Sequence, residues 1–172
     1  VRQTVALDYE ERARPFGELS DIGAHEYYTG TCFARLAGGH VYSTVQEAVD
    51  AAGSGDTIEV AGTCTGGEKR NGLTQSVYIS QGLTLQGGYT VTGWSDPDRD
   101  RHTTVLDAQG QGRVIYVNST DVVTVEGLHI RNGFVIDTLE DHGGGIYLQG
   151  GTHVIHNNEI YSNVANSGGG GI

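Results

Sequence analysis

The chain has 172 residues, a one-domain length, with 28 Gly, 2 Pro, 2 Cys and no Met. Lys+Arg number 10 and Asp+Glu 21, a formal charge of −11, which argues against nucleic acid and anionic membrane surfaces as partners because both require clustered cations. No apolar run approaches a bilayer span, the glycines keep no collagen-like period, and the Tyr, Val and Ile content is enough apolar bulk to exclude a disordered chain.

Residues 1–27 carry charge early (Asp8, Glu10, Glu11, Arg12, Arg14), break at Pro15-Phe16-Gly17 and show no helical apolar stripe. They read as short strands and turns, and they lack the basic start and apolar run of a signal peptide. Residues 43–52 read as a helix. Ser43-Thr44-Val45-Gln46 has the form of a capping box, and Val45, Ala48, Val49 and Ala52 make a stripe at helical spacing. Gly53-Ser54-Gly55-Asp56 ends it, and Thr57-Ile58-Glu59-Val60 alternates as a strand. Cys32 and Cys64 bracket this unit without zinc-ligand spacing. Two readings stand: a disulfide tying both ends of the unit in an oxidising compartment, or two buried free thiols in a reducing one.

From residue 76 onward the sequence repeats. Short β-rich runs such as Val77-Tyr78-Ile79, Val114-Ile115-Tyr116-Val117 and Leu128-His129-Ile130 are separated by Gly, Asn or Asp. Residues 125–130 align with 155–160 at an offset of 30, residues 143–146 with 169–172 at 26, and residues 83–88 with 128–133 at 45. A period of this order, built from short strands and tight turns, signals a β-solenoid whose coils bury their apolar residues only by stacking. Val125 should then lie on Ile155 and Ile130 on Ile160, with Asn157 and Asn158 at corners, where Asn side chains can bond along the column.

The run Gly143-Gly144-Gly145-Ile146-Tyr147-Leu148, the run Ile155-His156-Asn157-Asn158-Glu159-Ile160 and the terminal Gly-rich run resemble right-handed parallel β-helix repeats of the pectin-lyase-like class. Residues 42–60 look like the N-terminal cap of such proteins. Asp21-Ile22-Gly23-Ala24-His25-Glu26 is similar to a motif that closes such modules in large bacterial surface proteins. The resemblance implies an all-β right-handed parallel β-helix with a short N-terminal capping α-helix. The expected organisation is a closing or connecting segment at 1–27, a cap at 28–75 and β-helix coils at 76–172. Ser43, Val45, Gln46 and Val49 are the cap residues.

The fold class hosts lyases, hydrolases, adhesins and fibres, so chemistry has to be sought in particular residues. Asp96, Asp98, Asp100 and Asp107 echo the spacing of a calcium loop, but Arg101 stands where such a loop needs Gly. The competing reading is a solvated turn that pairs its own charges. Lys69, Arg70, Arg113, Arg131, Asp121 and Glu126 offer acids and bases at no spacing that forces them together, so no catalytic residue is assigned. No cofactor beyond Ca²⁺ at the four Asp is implied. Asn118-Ser119-Thr120 matches the N-glycosylation pattern.

The expectation is therefore a secreted, extracellular or cell-surface module of a bacterial structural or adhesive protein, without catalysis. The alternative is a carbohydrate-active or glycan-binding β-helix with a polysaccharide partner. Residues 168–172 fall within a repeat, so an open last coil is expected. Head-to-tail assembly into a fibre, or a place in a tandem array, would then bring Asp21, Ile22 and Gly23 of one copy to the Ile146 to Ile172 end of the next by strand addition.

Overall fold

A computed structural model describes residues 31–136 and 142–172. The sequence-predicted segment 1–27, with Asp21, Ile22 and Gly23, lies outside the described residues. The chain is mostly β-structure in which a parallel sheet curls from face to face. Strand β1 (Cys32–Leu36) pairs antiparallel with β2 (Val41–Tyr42) and with β3 (Thr57–Thr65). Helix α1 (Val45–Ala51) stands between β2 and β3, behind two strands rather than at the start of the chain.

Strand β3 turns a corner along its length. Its first half pairs with β6 (Thr84–Tyr89) and its second half with β7 (Thr104–Asp107), so one strand serves two faces. On the first face β6 is followed by β9 (Thr124–Glu126) and β13 (Val154–His156). On the second, β7 is followed by β10 (Leu128–Arg131) and β14 (Glu159–Tyr161). A third face stacks β5 (Leu73–Ile79), β8 (Arg113–Asn118) and β12 (Ile146–Gln149), with β4 (Glu68–Arg70) antiparallel to β5. Strands β11 (Phe134–Val135) and β15 (Val164–Ala165) form a small fourth ladder.

Register puts like on like. Ile58, Leu85, Val125 and Ile155 form one inward column, and Cys64, Leu106, Ile130 and Ile160 a second. Val77, Ile115 and Ile146 form a third. Ile58, Leu85, Val125, Ile130, Ile115 and Ile146 are fully buried. Burying each such side chain contributes about 1.5–3 kcal/mol. The sequence offsets of 30 and 26 are spatial registers: Val125 pairs Ile155, Ile130 pairs Ile160, and the isolated bridge joins His142 to Gly168. The offset of 45 is not, because Leu85 pairs Val125 and Ile130 pairs Leu106. The long 90–103 connection separates those segments in sequence, so a textual match there carries no register.

Turns are closed by backbone and by asparagine. Asn158 accepts from the Leu128 N–H at 3.0 Å and donates to the Val125 carbonyl at 2.8 Å. Asn163 accepts from the Gly133 N–H at 2.8 Å and donates to the Ile130 carbonyl at 2.9 Å. Each side chain bonds one N–H and one carbonyl on either side of a turn of the neighbouring coil. Asn157 instead takes a left-handed conformation, φ 57°, at its corner. A Cβ at Gly133 would collide with the Gly144 carbonyl, so this corner accepts only glycine.

The helix is capped by Thr44, not Ser43. The Glu47 N–H donates to Thr44 Oγ1 at 3.1 Å and the Thr44 N–H to Glu47 Oε2 at 3.1 Å, while the Ser43 hydroxyl donates to the same carboxylate. A carboxylate in the first turn faces the positive end of the helix and outcompetes the neutral Gln46. Gln46 is buried and used elsewhere. Its Oε1 accepts from the Tyr78 N–H at 2.6 Å and its Nε2 donates to the Tyr78 carbonyl at 3.1 Å. Val45, Ala48 and Val49 turn into the same core as Ile58 and Val77.

Candidate functional site

Cys32 and Cys64 form a disulfide. It links β1 to the far end of β3, alongside the antiparallel pairing of those strands. Beside it a cleft of about 550 Å³ runs between the start of α1 and the turn at Gly66 and Gly67, with Phe33, Val45, Val77 and Leu106 in its wall.

The four aspartates do not make a calcium loop. Among the described residues no three His, Cys, Asp or Glu side chains stand close enough to hold a metal ion. Asp98 caps its own turn, accepting from the backbone N–H groups of Asp100 and Arg101 at 3.2 and 3.1 Å, with the Arg101 guanidinium 3.5 Å away. Asp107 sits on the second face and is committed to structure. It accepts from Arg131 Nε, Asn132 Nδ2 and the Gln109 N–H, each at 2.9 Å. Burial alone would raise its pKa, but the bonds from Asn132, the Gln109 N–H and Arg131 outweigh burial and hold the carboxyl below its ordinary value. Arg131 is correspondingly held above its own, first by Tyr161 and then by Asp107.

Outside the inward columns, the first face shows two outward ones. Thr57, Thr84, Thr124 and Val154 are in register, as are Glu59, Gln86, Glu126 and His156. The loop containing Asp98 and Arg99 rises beside the second column and leaves a groove of about 590 Å³ floored by Gln86, Glu126 and Gly127. Arg99 Nη1 donates to the Asn157 carbonyl at 3.1 Å and ties the loop down. His156 Nε2 lies 3.2 Å from Glu126 Oε2. Carboxylates, amides and guanidinium groups thus line the groove together.

The head of that column is a buried cluster that sequence reading missed. Arg35 Nε stands 2.5 Å from Glu59 Oε2, Arg35 Nη2 donates to the Trp94 carbonyl at 3.3 Å, and the guanidinium lies 4.8 Å from the Trp94 ring centre. Tyr89 stacks on Trp94 at 5.9 Å and donates to Gln86 Oε1 at 2.7 Å. Burial, and then the negative charge of Glu59, pushes the Tyr89 phenol up to about 12. Both rings are buried and cover the flank. Arg35 and Glu59 are 24 residues apart, so only the antiparallel return of β1 on β3 brings them together.

A second concentration of surface lies where the stack ends in β12, β13, β14 and β15. Val154 is 43% exposed, Tyr161 39%, Val164 46% and Ile172 54%. Ile146, expected at an assembly surface, is fully buried in the core, and its N–H donates to the Gly171 carbonyl at 2.8 Å. Only backbone and the exposed residues above it can therefore meet a partner. Lys69, Arg70 and Glu68 do not converge with Glu126; Arg70 clamps Asp50 of α1 through two bonds at 2.8 and 2.7 Å. Asn118 is exposed at the end of β8. Among the described residues no helix is long and apolar enough to cross a membrane. No protein-family model, curated protein or solved structure matches the chain.

Proposed function

We propose that the chain is a non-catalytic module of an extracellular or cell-surface structural or adhesive protein. In this reading it is a closed right-handed parallel β-helix of the pectin-lyase-like class, with α1 as its cap, whose stack is continued by further β-structure at the β13–β14–β15 end. The observation that carries the reading is that end itself. Among the described residues its strands have no partner on their outer edges; they stand in register with the coils beneath and carry the exposed apolar Val154, Tyr161, Val164 and Ile172. Such edges pair readily with another chain or segment. The Cys32–Cys64 disulfide supports an oxidising compartment. Analytical ultracentrifugation of the 172-residue chain tests the reading. Concentration-dependent association is expected; a monomer at every concentration overturns it.

The groove floored by Gln86 and Glu126 favours a second reading, a glycan-binding or carbohydrate-active face. Calorimetry and a reducing-sugar assay against a polysaccharide panel separate the two. Binding without turnover makes the module a lectin, and turnover makes it an enzyme.

A further inference from the structure

A groove of about 450 Å³ runs up the corner where the chain leaves the second face for the third. It lies on the flank of the stack rather than at its last coil. Thr74, Gly112 and Phe134 stand one on the next there, and the Phe134 N–H donates to the Gly112 carbonyl at 2.8 Å. Gly110 and Gly112 take φ of 74° and 137°, and a Cβ at Gly112 would strike the Thr74 carbonyl. The corner therefore needs glycine, and glycine leaves the floor of the groove without side chains.

The walls are apolar on one side and cationic on the other. Leu73, Phe134 and Ile136 line the groove, and Phe134 and Ile136 are exposed to solvent in it. Strand β4 brings Lys69 to the rim opposite Thr74. Side chains alternate along a strand, so Lys69 turns away from its neighbours Glu68 and Arg70, which meet each other and Asp50. Every arginine among the described residues is engaged by a carboxylate or a backbone carbonyl, whereas Lys69 has no such partner. The second cation of the groove, Arg113, is buried; its Nε donates to the His142 carbonyl at 3.0 Å and its guanidinium lies 4.9 Å from the Tyr147 ring centre. It adds positive charge to the wall without being open to contact. Among the described residues that line the groove there is no carboxylate. In a chain with 21 acids and 10 Lys+Arg, a groove holding two cations and no acid runs against the composition.

We infer that this groove binds a small carboxylate carried on an aromatic or alkyl body. The carboxylate meets the Lys69 ammonium, and the body covers Phe134, Ile136 and Leu73. A purely ionic ligand would leave the apolar wall in water, and a neutral apolar one would leave Lys69 unused. An exposed ion pair contributes little by itself, and so does a half-open apolar contact. Joined in one molecule, the two contacts share a single loss of translational and rotational freedom and reinforce each other. The volume falls within the roughly 300–1,000 Å³ of small-molecule sites. The site is separate from the polar groove floored by Gln86 and Glu126, and it does not depend on the stacking proposed above.

The test titrates the isotope-labelled 172-residue chain with 4-phenylbutyrate and follows backbone amide shifts by NMR. Saturable shifts are expected at Thr74, Gly110, Gly112 and Phe134. The uncharged 4-phenylbutyramide and the truncated acetate should each bind about five-fold more weakly or worse. Lys69→Gln, at an exposed position, should lower the affinity for the acid by a similar factor and leave that for the amide unchanged. Phe134→Ala should weaken both, with Ile136→Ala in its place if that variant does not fold. No saturable binding, equal affinity for acid and amide, or an acid affinity indifferent to Lys69→Gln overturns the inference. Binding that appears only after Asp137, Glu140 and Asp141 are replaced by Asn, Gln and Asn would assign Lys69 to the chain's own carboxylates and overturns it as well.

Discussion

Replacing Asp107 with Ala tests whether the second face is held by its buried carboxylate. The wild-type side chain takes three hydrogen bonds at 2.9 Å, from Arg131, Asn132 and the Gln109 N–H. Bonds to a charged acceptor contribute about 1.5–3 kcal/mol each and do not add fully. The Arg131 side chain is 36% exposed, so water screens and partly replaces that partner. The net loss expected at neutral pH is about 2–4 kcal/mol. Its pH dependence has a definite sign. The folded carboxyl is held below the ordinary value of 3.8, so its contribution is complete above that value and disappears as pH falls through the folded pKa. Urea titrations followed by the fluorescence of Trp94, the sole tryptophan, would measure both stabilities at neutral pH and near pH ~2.5. The difference between wild type and Asp107→Ala should shrink at the acid end. A difference that is unchanged with pH, or below about 0.5 kcal/mol at neutral pH, refutes the assignment of Asp107 as a charged structural hub.

Further outcomes are expected elsewhere. Replacing Cys32 and Cys64 together with Ala reopens a loop whose ends are 32 residues apart and should cost roughly 3–4 kcal/mol in the chain-entropy picture, read as a lower denaturant midpoint. Val49→Asp places a carboxylate where Val49 is 2% exposed against the core; a loss of about 4 kcal/mol or more, with aggregation, should appear in light scattering, and a monodisperse variant with unchanged melting would show that α1 does not seal the core. The Tyr89 phenol, raised from 10.0 to about 12, stabilises the fold below its unfolded value and loses that contribution as pH rises through the folded one. Tyr89→Phe should therefore flatten the alkaline limb of the stability profile, and phenolate absorbance should lose one late-titrating group; an unaltered limb would place the phenol in water.

What the sequence determined by itself was periodic and local. Apolar residues at fixed offsets gave the pairing of Val125 with Ile155 and of Ile130 with Ile160, because a stacked coil needs the same residue type at the same place in each turn. The stripe Val45, Ala48, Val49 gave the helix, because helical spacing is a property of one segment. The tertiary structure decided whatever depends on how distant segments return. Between Thr44 and Ser43 as cap the choice turned on Gln46, which was drawn away to the Tyr78 backbone, a partner 32 residues off. The aspartate spacing left a calcium loop and a self-paired turn open, and Asp107 is held by Arg131 and Asn132 across a ladder whose register lies in no local pattern. The antiparallel return of β1, which brings Arg35 to Glu59, leaves no signature in its five residues. A strand that pairs with an existing edge is specified by that edge and its backbone groups, and these exist only once the rest of the sheet has formed.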